Sequence, residues 1–493
     1  MDTLDLSRLQ FAVVTIYHYF FVPLSISLAA LTAGLQTAWH RTGKQHYRDL
    51  TMLVGKLLMV TFAVGVVTGL VQEFQFGLAW SDFARFYGDV FGPTLAIEGM
   101  LAFFLEATFL GLWFFGWDRL PRRAHLATIW VVAVGTLISA YVILAANSFM
   151  QNPIAYGVDP ETGRARLDDF FELMVNEVNL AAFPHTMSGA AMTGGALLLA
   201  IGAWRAWGRR GRVRTDDAAI EHRDHAAWQR LARLGAWVTA FGGVAVAVTG
   251  DILGKIITTV QPMKMAAAEA LYASQSGAPF SILAVGGSRG GEPFFSIDIP
   301  FLLSILAKGD PTATVQGMDD LQAQYTELYG PGDYMPYVPV AYWTFRLMIG
   351  AGMAAAALAV VFLVLTRKGN PPIRPGRVRT LAGRAVLWAL PLIPTLPILA
   401  NTFGWIFTET ARQPWLVFGM FKTEDGVSPG LTAGEVLASL IGFGIVYGIL
   451  AVVWLRLVLH LSRLDLSPDP DRPDDGDDSS PSARSLAAAA PTY

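Results

Sequence analysis

Nine long apolar stretches recur along the chain, and they constrain its fold more than any other feature. Each is long enough to cross the hydrocarbon core of a bilayer, which takes about 20 residues of α-helix. With 53% hydrophobic and 15% charged residues, the chain carries more apolar surface than one water-soluble core can bury. The sequence therefore predicts an all-α integral membrane bundle of nine transmembrane helices, at 10–37, 52–77, 93–116, 124–148, 180–204, 232–255, 340–366, 381–403 and 434–460.

The loops between these predicted spans alternate in charge. Every second loop is rich in Arg and Lys, with 18 in all, at 38–51, 117–123, 205–231 and 367–380. The intervening loops are longer but hold only 8, at 78–92, 149–179, 256–339 and 404–433. Because basic loops face the cytoplasm, we predict an outside N-terminus, a cytoplasmic C-terminus and an odd number of spans. No basic region precedes the first span, so we expect no cleaved signal peptide.

The chain divides into four predicted parts. Residues 1–255 hold the first six spans, and 340–465 hold the last three. Segment 256–339 is an outer loop long enough to be functional rather than a mere connection, and its helix-forming runs and aromatic residues predict an ordered structure. The tail 466–493 is rich in Pro, Asp and Ser, a composition typical of disorder.

The chain has no cysteine, which excludes disulfides, Cys-bound iron–sulfur clusters, Cys zinc sites and covalently attached c-type haem. Any redox cofactor must therefore be held by His, Met or carboxylates. The net charge of −3 argues against a nucleic-acid partner.

Ionisable groups inside predicted spans are candidates for function. Of the eight histidines, only His18 and His185 fall in the outer parts of spans; each is either a hydrogen-bonding group between helices or a ligand to a metal or haem. His185 lies roughly 8 Å along the helix from the outer end of its span, and Met348 lies at a similar depth in another. A His and a Met are the axial pair of an electron-transferring low-spin haem, although Met348 alone is also explained by packing. The nearby Arg346 is a candidate partner for a haem propionate.

Two further clusters have both a chemical and a structural interpretation. Glu98 and Glu106 are eight residues apart, about 12 Å along one predicted helix and within about 80° of each other, so they form either a proton relay or two hydrogen-bonded carboxyls in the bundle. The segment GWIFTETARQPW (404–415), predicted to follow the eighth span, combines Glu409 and Arg412 with Trp405. It is either an interfacial anchor or the source of an oxygen ligand, Glu409, to a high-spin iron.

These segments together resemble subunit I of the cytochrome bd-type quinol oxidases, which are respiratory terminal oxidases. The resemblance covers about 460 residues and rests on a series of motifs in the family's order: SRLQFAVVTIYHYFFVPLS (7–25), GLVQEFQFGLAW (69–80), FGPTLAIEGMLAFFLEATFLGLWFFGWDRL (91–120), ANSFMQNP (146–153), FPHT (183–186), FRLM (345–348) and ARQPW (411–415). The outer loop is of the family's short type.

The resemblance implies three haems: a low-spin haem b, a high-spin haem b and haem d. It implies His185 and Met348 as axial ligands of the low-spin haem b, with Arg346 beside it. It implies His18 as a ligand of haem d and Glu409 as the ligand of the high-spin haem b. Which of the two high-spin haems occupies which position stays open.

Roles for the other candidates also follow from the resemblance. Glu98 matches a carboxylate next to haem d, Glu106 a proton-delivery carboxylate, and Trp405 an aromatic residue between the haems. In the outer loop, Lys264 and Glu269 match a charged pair associated with quinol oxidation. The family usually has an acidic residue followed by Gly-Arg in the segment after Gly-Trp; this chain has Glu-Thr-Ala-Arg at 409–412, which keeps the spacing, so a cofactor-binding role is expected for Arg412 as well.

The activity implied is that of a quinol:oxygen oxidoreductase in the bacterial cytoplasmic membrane. It would oxidise ubiquinol or menaquinol at the outer face, reduce O₂ to water and build a proton gradient by vectorial proton uptake without pumping. The implied partners are a second membrane subunit and, in addition, small single-span subunits. Two alternatives from other classes are a proton-coupled transporter and a haem-binding anchor subunit without oxygen chemistry.

Overall fold

The computed structural model describes residues 2–208, 218–286, 291, 293–367 and 389–466. Within these ranges, nine helices are long and apolar enough to cross a membrane, which confirms the predicted all-α membrane architecture. These helices extend past the predicted spans at most ends: Thr3–Thr42, Gln45–Leu78, Ser81–Phe115, Arg122–Gln151, Glu177–Trp207, Arg223–Val260, Val338–Leu365, Leu390–Thr410 and Ala433–Arg463. The predicted disordered tail lies outside the described residues from 467 onward.

The elements are labelled in chain order. The helices are α1 Thr3–Thr42, α2 Gln45–Leu78, α3 Ser81–Ile97, α4 Phe104–Phe115, α5 Arg122–Gln151, α6 Phe170–Met174, α7 Glu177–Ala203, α8 Ala218–Val260, α9 Pro262–Glu269, α10 Leu302–Lys308, α11 Met318–Tyr329, α12 Val338–Leu365, α13 Thr395–Thr410 and α14 Ala433–Arg463. Short antiparallel strand pairs lie in the connections: β1 Tyr156–Val158 with β2 Ala165–Leu167, β3 Gln275–Ser276 with β6 Thr314–Val315, β4 Phe280–Gly286 with β5 Pro293–Ile299, and β7 Trp415–Val417 with β8 Phe421–Lys422.

The third span differs from its prediction in two ways. Helix α3 begins at Ser81, so most of the predicted loop 78–92 is helical. Phe83, Tyr87 and Phe91 repeat every four residues and are buried, whereas Asp82 pairs with Arg85 on the exposed side. This amphipathic pattern forms a helix but is too polar to be recognised as a membrane span. The second difference is a π-helical turn, Glu98–Phe103, between α3 and α4.

The eighth span lies further along the chain than predicted. Its described part runs from Leu390 to Thr410, and residues 381–388 of the prediction lie outside the described residues. The first half of GWIFTETARQPW is therefore helical rather than in a loop. The polar run Thr408 to Thr410 lowers the local hydropathy, but Thr410 donates a hydrogen bond to the carbonyl of Ile406 at 2.6 Å and continues the helix.

The spans pack in two groups of four. Helices α1, α2, α4 and α5 form the first group, and α7, α8, α12 and α13 form the second; α1 and α5 meet α7, and α14 lies against α1 and α2. Glycines let α7 and α8 approach closely. A Cβ at Gly195 would lie 2.8 Å from the Thr239 amide nitrogen, and one at Gly235 would overlap the Leu199 amide nitrogen. Such contacts between small residues are typical of membrane helix packing.

The outer loop is ordered over its described residues, 256–286, 291 and 293–339. Helices α9 and α11 pack on the end of α13 through a buried cluster that includes Met263, Met318, Tyr334 and Trp415. Because this cluster joins the loop to the transmembrane bundle, the polar side chains of α9 are held in fixed positions against the helices below them.

Candidate functional site

His18 lies in the middle of α1 and faces α2. Its Nδ1 is 3.1 Å from the hydroxyl of Thr68. Gly69 lies against the ring, since a Cβ there would be 3.0 Å from Cε1 of His18. The neighbouring Tyr19 stacks on Trp405 of α13, with ring centroids 5.2 Å apart and planes inclined by 13°. Trp405 therefore joins α1 to the second helix group, next to His18.

His185 and Met348 lie in the second group, each two to three turns from the start of its helix. His185 of α7 faces α8, with Nδ1 3.3 Å from the hydroxyl of Thr249 and the ring against Gly250. Met348 of α12 faces α13, and a Cβ at Gly404 would lie 2.8 Å from its Sδ. His185 and Met348 are eight and ten residues after the first residues of their helices, Glu177 and Val338; their common depth in the membrane stays a prediction.

Glu409 and Arg412 form an ion pair at the end of α13. Arg412 Nη2 donates to Glu409 Oε2 at 2.6 Å, and Asn147 Nδ2 of α5 donates to Oε1 at 3.0 Å. The Arg412 side chain is only 1% exposed, yet its Nε and Nη1 have no hydrogen-bond partner among the described residues. The same holds for the indole nitrogen of Trp405. Buried donors of this kind fit an anionic or polar group bound beside them.

Glu98 and Glu106 both face α5. Ser139 donates to Glu98 Oε1 at 3.3 Å, and a Cβ at Gly135, one turn earlier, would lie 3.1 Å from Glu106 Cγ. Glu106 is 7% exposed, and its Oε1 has no partner among the described residues. Glu73 of α2 lies within electrostatic range of Glu98. The two predicted carboxylates are thus part of a row of three.

The π-helical turn explains why both carboxylates face one helix. An α-helix turns by about 100° per residue, so eight residues leave Glu98 and Glu106 about 80° apart. A π-turn accommodates one extra residue, so the eight residues span about the same rotation as seven, which is within about 20° of two full turns. The offset therefore stays within the predicted 80°, and the π-turn, for which no residue type in this segment is a signal, makes it smaller.

Lys264 and Glu269 are both buried on α9, but they do not pair with each other. Lys264 Nζ donates to Gln151 Oε1 at 2.8 Å and to the Thr408 carbonyl at 3.2 Å. Glu269 forms a bidentate ion pair with Arg346 of α12, at 2.5 and 3.2 Å. Burial and the nearby Arg412 lower the pKa of Lys264 to about 7, and burial raises the pKa of Glu269 to about 7 against the opposing effect of Arg346.

Arg346 is oriented away from Met348. Its Nε donates to the Ser281 carbonyl at 2.6 Å, and Nη1 also donates to the Ala268 carbonyl at 3.1 Å. Every nitrogen of the guanidinium therefore binds the outer loop. Arg346 ties α12 to α9, two residues before Met348, and connects the loop directly to the helix that carries this sulfur.

A small cavity lies between the loop and α13. Lys264 and Arg412 line it together with aromatic residues of the loop and of β7, among them Tyr325 and Trp415. The Tyr325 hydroxyl, the Trp415 indole nitrogen and the Gln261 side-chain oxygen are buried without a hydrogen-bond partner among the described residues. The cavity, about 10 Å³, has room for about one water, to which it presents donors and an acceptor.

His125 and His460 have different surroundings from His18 and His185. At the other end of the first group, His125 is fully hydrogen-bonded: Gln36 Nε2 donates to its Nδ1 at 2.8 Å, and its Nε2 donates to the Trp113 carbonyl at 2.7 Å. The Trp113 indole donates to Gln36 Oε1 at 2.6 Å and closes the ring of three bonds. His125 therefore has a structural role, as its position at the start of a span suggested. His460 is exposed near the end of α14.

Comparison with known proteins decides between the interpretations of this arrangement. Residues 6–465 match the model of the family "Cytochrome bd terminal oxidase subunit I". The chain belongs to this family. A cytochrome bd ubiquinol oxidase subunit 1 of Bacillus subtilis is 39% identical over 462 residues, 93% of either chain. A cytochrome bd-II ubiquinol oxidase subunit 1 of Escherichia coli is 34% identical, covering 94% of this chain and 97% of the relative.

A solved structure of bd oxidase from Geobacillus thermodenitrificans has the same fold, with a TM-score of 0.80, 27% identity and coverage of 94% and 98% of the two chains. This bd-family chain is thus a multi-pass protein of the bacterial plasma membrane and part of a haem-containing respiratory oxidase. As a subunit I, it implies a subunit II partner.

The residues present fit haem. Among the described residues no cluster of three or more His, Asp or Glu side chains could hold a metal ion alone. His, Met and Glu are the available axial ligands. A glycine lies directly against each candidate ligand, His18, His185 and Met348, where a larger residue would displace it. The buried donors of Arg412 and Trp405 suit acidic haem substituents.

Sequence reasoning missed several residues that complete these sites. Asn147, Gln151, Thr68 and Thr249 hold predicted site residues, and Glu73 extends the row of carboxylates. Asn147 and Gln151 are four residues apart on α5, so they share one face of that helix. Asn147 and Gln151 lie in the segment 146–153, and Glu73 lies in 69–80; both segments carried the resemblance, but no role was predicted for these side chains.

Proposed function

We propose that this chain is the haem-bearing subunit of a quinol:oxygen oxidoreductase. In the overall reaction, two quinols are oxidised to quinones and one O₂ is reduced to two waters. The family supports this, and two relatives are named ubiquinol oxidase subunits. The observation that carries the proposal is the contact between the loop and the helices that bear the proposed ligands. Lys264 binds the Thr408 carbonyl, next to Glu409, and Glu269 pairs with Arg346, two residues before Met348.

For the haems, we assign His185 and Met348 to a low-spin haem b, His18 to haem d and Glu409 to a high-spin haem b. When bound, these haems supply electron transfer and oxygen reduction. The chain contributes the arrangement of ligands: Trp405 of α13 stacks on Tyr19, the residue after His18 in α1. Arg412 fixes the Glu409 carboxylate while keeping two nitrogens free to donate. Glu98 is the middle member of the row Glu73, Glu98 and Glu106.

For quinol, we assign the polar groups of α9 at the outer face, Lys264 and Glu269; the cavity beside Lys264, about 10 Å³, has room for about one water and not for the quinol ring. Lys264 offers an ammonium group near the cavity, and Glu269 is a carboxyl with a pKa raised to about 7 by burial. A carboxyl with this pKa can accept a proton from a quinol at neutral pH and release it again. Arg346, bound to Glu269, connects this proton acceptor to the helix of Met348.

For protons, we assign the row Glu73, Glu98 and Glu106, supplied from the cytoplasmic side. Glu106 lies deep in the bundle with an unpartnered oxygen, which suits a group that exchanges its proton with water. In the orientation predicted from the loop charges, with the N-terminus outside, quinol protons leave at one face and the protons for water enter from the other. Charge separation then requires no pump.

The test is haem analysis of the purified membrane complex, with quinol-dependent oxygen uptake. We expect two b-type haems and one haem d. His185→Ala should insert in the membrane, lose the low-spin b band and lose quinol oxidase activity. The matched control is His460→Ala, an exposed histidine of α14, which should keep all haem bands. A normal low-spin band in His185→Ala would refute the ligand assignment, and a haem-free complex without oxygen uptake would favour a transporter.

A further inference from the structure

His18 and His185 lie on different helices in different groups, yet their surroundings match. Each faces the sequence Val-Thr-Gly on the next long transmembrane helix of its own group, at 67–69 in α2 and 248–250 in α8. In both cases the threonine hydroxyl contacts the imidazole Nδ1, at 3.1 Å for Thr68 and 3.3 Å for Thr249. This repeated arrangement has no counterpart at His125, whose two ring nitrogens bind Gln36 and a carbonyl.

The threonine hydrogen bonds fix the tautomer of both imidazoles. A hydroxyl has a single hydrogen to donate. Thr68 donates it to the carbonyl of Val64 or Gly65, at 3.0 and 2.9 Å, and Thr249 donates it to the Ala245 carbonyl at 2.7 Å. Each threonine oxygen can then only accept from the histidine, and so can the backbone carbonyls of Gly65 and Val246, which also bind the His18 and His185 imidazoles. Both imidazoles therefore carry their proton on Nδ1 and keep the Nε2 lone pair free for a metal.

The glycines determine where the rings lie. A Cβ at Gly69 would be 3.0 Å from Cε1 of His18, and a Cβ at Gly250 would be 3.1 Å from Cε1 of His185. These separations are shorter than the ordinary carbon contact of about 3.5–4.0 Å. Any larger residue would push the ring away from the helix. The threonine hydroxyl and the neighbouring carbonyl thus set the tautomer of the ring, and the adjacent glycine sets its distance from the backbone.

We propose that Thr68-Gly69 and Thr249-Gly250 are positioning residues for the two iron-binding imidazoles, an inference that rests on the proposed function. Each threonine holds the Nδ1–H as an outer hydrogen-bond acceptor. Such partners orient a ligating histidine and raise its basicity, and their loss typically costs about 10–100-fold in metal affinity or activity. The same local sequence serves two haems of different spin state, one in each helix group.

The test removes each hydroxyl while keeping the shape of the side chain. In the assembled oxidase, Thr249→Val should raise the midpoint potential of the low-spin haem, because a less basic imidazole stabilises the ferric state less. Thr68→Val should lower the iron–histidine stretching frequency of the ferrous high-spin haem in resonance Raman spectra. Each variant should leave the other haem unchanged. Thr68→Ser and Thr249→Ser, which keep a hydroxyl, should restore the wild-type values.

Two buried threonines on the same helices provide matched controls. Thr51 of α2 donates to the Tyr47 carbonyl at 2.7 Å, and Thr239 of α8 donates to the Gly235 carbonyl at 2.9 Å. Thr51→Val and Thr239→Val remove a similar hydroxyl without touching an imidazole, so potential and stretching frequency should stay as in the wild type.

A second set of variants addresses the glycines. Gly69→Ala and Gly250→Ala should each reduce the occupancy of one haem, measured per assembled complex. The inference would be overturned if both Thr→Val variants had the same midpoint potential and stretching frequency as the controls. If the Thr→Val variants leave potential and frequency unchanged while His18→Ala and His185→Ala lose their haems, only the positioning role of the threonines is refuted. If these histidine variants keep every haem band, the ligand assignment fails with it.

Discussion

Gly404 offers a sharp test of Met348 as a haem ligand, because a methyl group there would collide with the proposed ligand atom. The Cβ of an alanine at 404 would lie 2.8 Å from Met348 Sδ. Ordinary contact needs about 3.5–4.0 Å, so the sulfur would have to retreat by about 1 Å. A methionine with three rotatable bonds makes that movement easily. A metal site tolerates a ligand displacement of only about 0.2 Å. Gly404→Ala should therefore fold normally and lose the iron–sulfur bond.

The assay is the reduced absorption spectrum and a redox titration of the purified complex. We expect Gly404→Ala to lose the low-spin b band or to show a lowered midpoint potential, since a thioether ligand raises the potential. Met348→Leu should give the same result. The control is Gly352→Ala on α12, whose Cβ would meet only the Ala400 methyl at 3.9 Å. An unchanged low-spin band and potential in Gly404→Ala would refute the assignment of Met348.

Three further predictions concern protons, quinol and the loop. Glu106→Gln should assemble its haems but slow turnover by at least about tenfold, since a positioned proton-transfer group contributes on the order of 10²–10⁴-fold to the rate. The measurement is time-resolved oxidation of the reduced complex. Normal turnover with normal charge movement would show that Glu106 is only a packed carboxyl. Burial lowers the pKa of Lys264 to about 7, so its ammonium form is present below this pH and is lost above it. The apparent KM for quinol should therefore rise as pH increases through 7, and this rise should disappear in Lys264→Met. The control is Lys255→Met, which should keep the rise, because Lys255 is half-exposed and pairs with Asp251. Glu269→Gln leaves the Arg346 charge buried without its counter-ion, since the side chains of Glu269 and Arg346 are 2% and 8% exposed. Loss of one partner of such a buried pair costs about 3–5 kcal/mol of stability. Limited proteolysis should therefore cut the outer loop faster than in the wild type.

Hydropathy predicted the fold because the bilayer imposes one requirement on every span. About 20 apolar residues suffice to identify a transmembrane helix, and all nine were found within the described residues. Helix ends were predicted less well. The first turns of α3 and the last turns of α13 are polar or amphipathic, and a hydropathy pattern cannot distinguish such helical turns from a loop.

The candidate ligands were predictable, but their partners were not. His18, His185 and Glu106 are conspicuous because polar groups are costly in a membrane. The threonines that bind these histidines are common in any membrane helix, and only the rotation of α2 and α8 brings them to the rings. The π-turn at Glu98–Phe103 was also invisible, because it depends on a backbone hydrogen-bond pattern rather than on composition.

The depth of Glu106 has an electrical consequence. Glu106 is nine residues from Phe115 at the end of α4, about 14 Å along the helix and roughly half of the ~30 Å hydrocarbon layer. Moving one charge across the whole layer costs about 2.3 kcal/mol per 100 mV. Moving a proton from the Phe115 end to the Glu106 carboxyl therefore costs about half of this energy. If Glu106 is the proton carrier proposed above and this transfer limits the rate, we expect 100 mV to slow turnover by roughly 5–10-fold. Oxygen consumption should then fall as the membrane becomes charged and rise as ATP synthesis or transport discharges it.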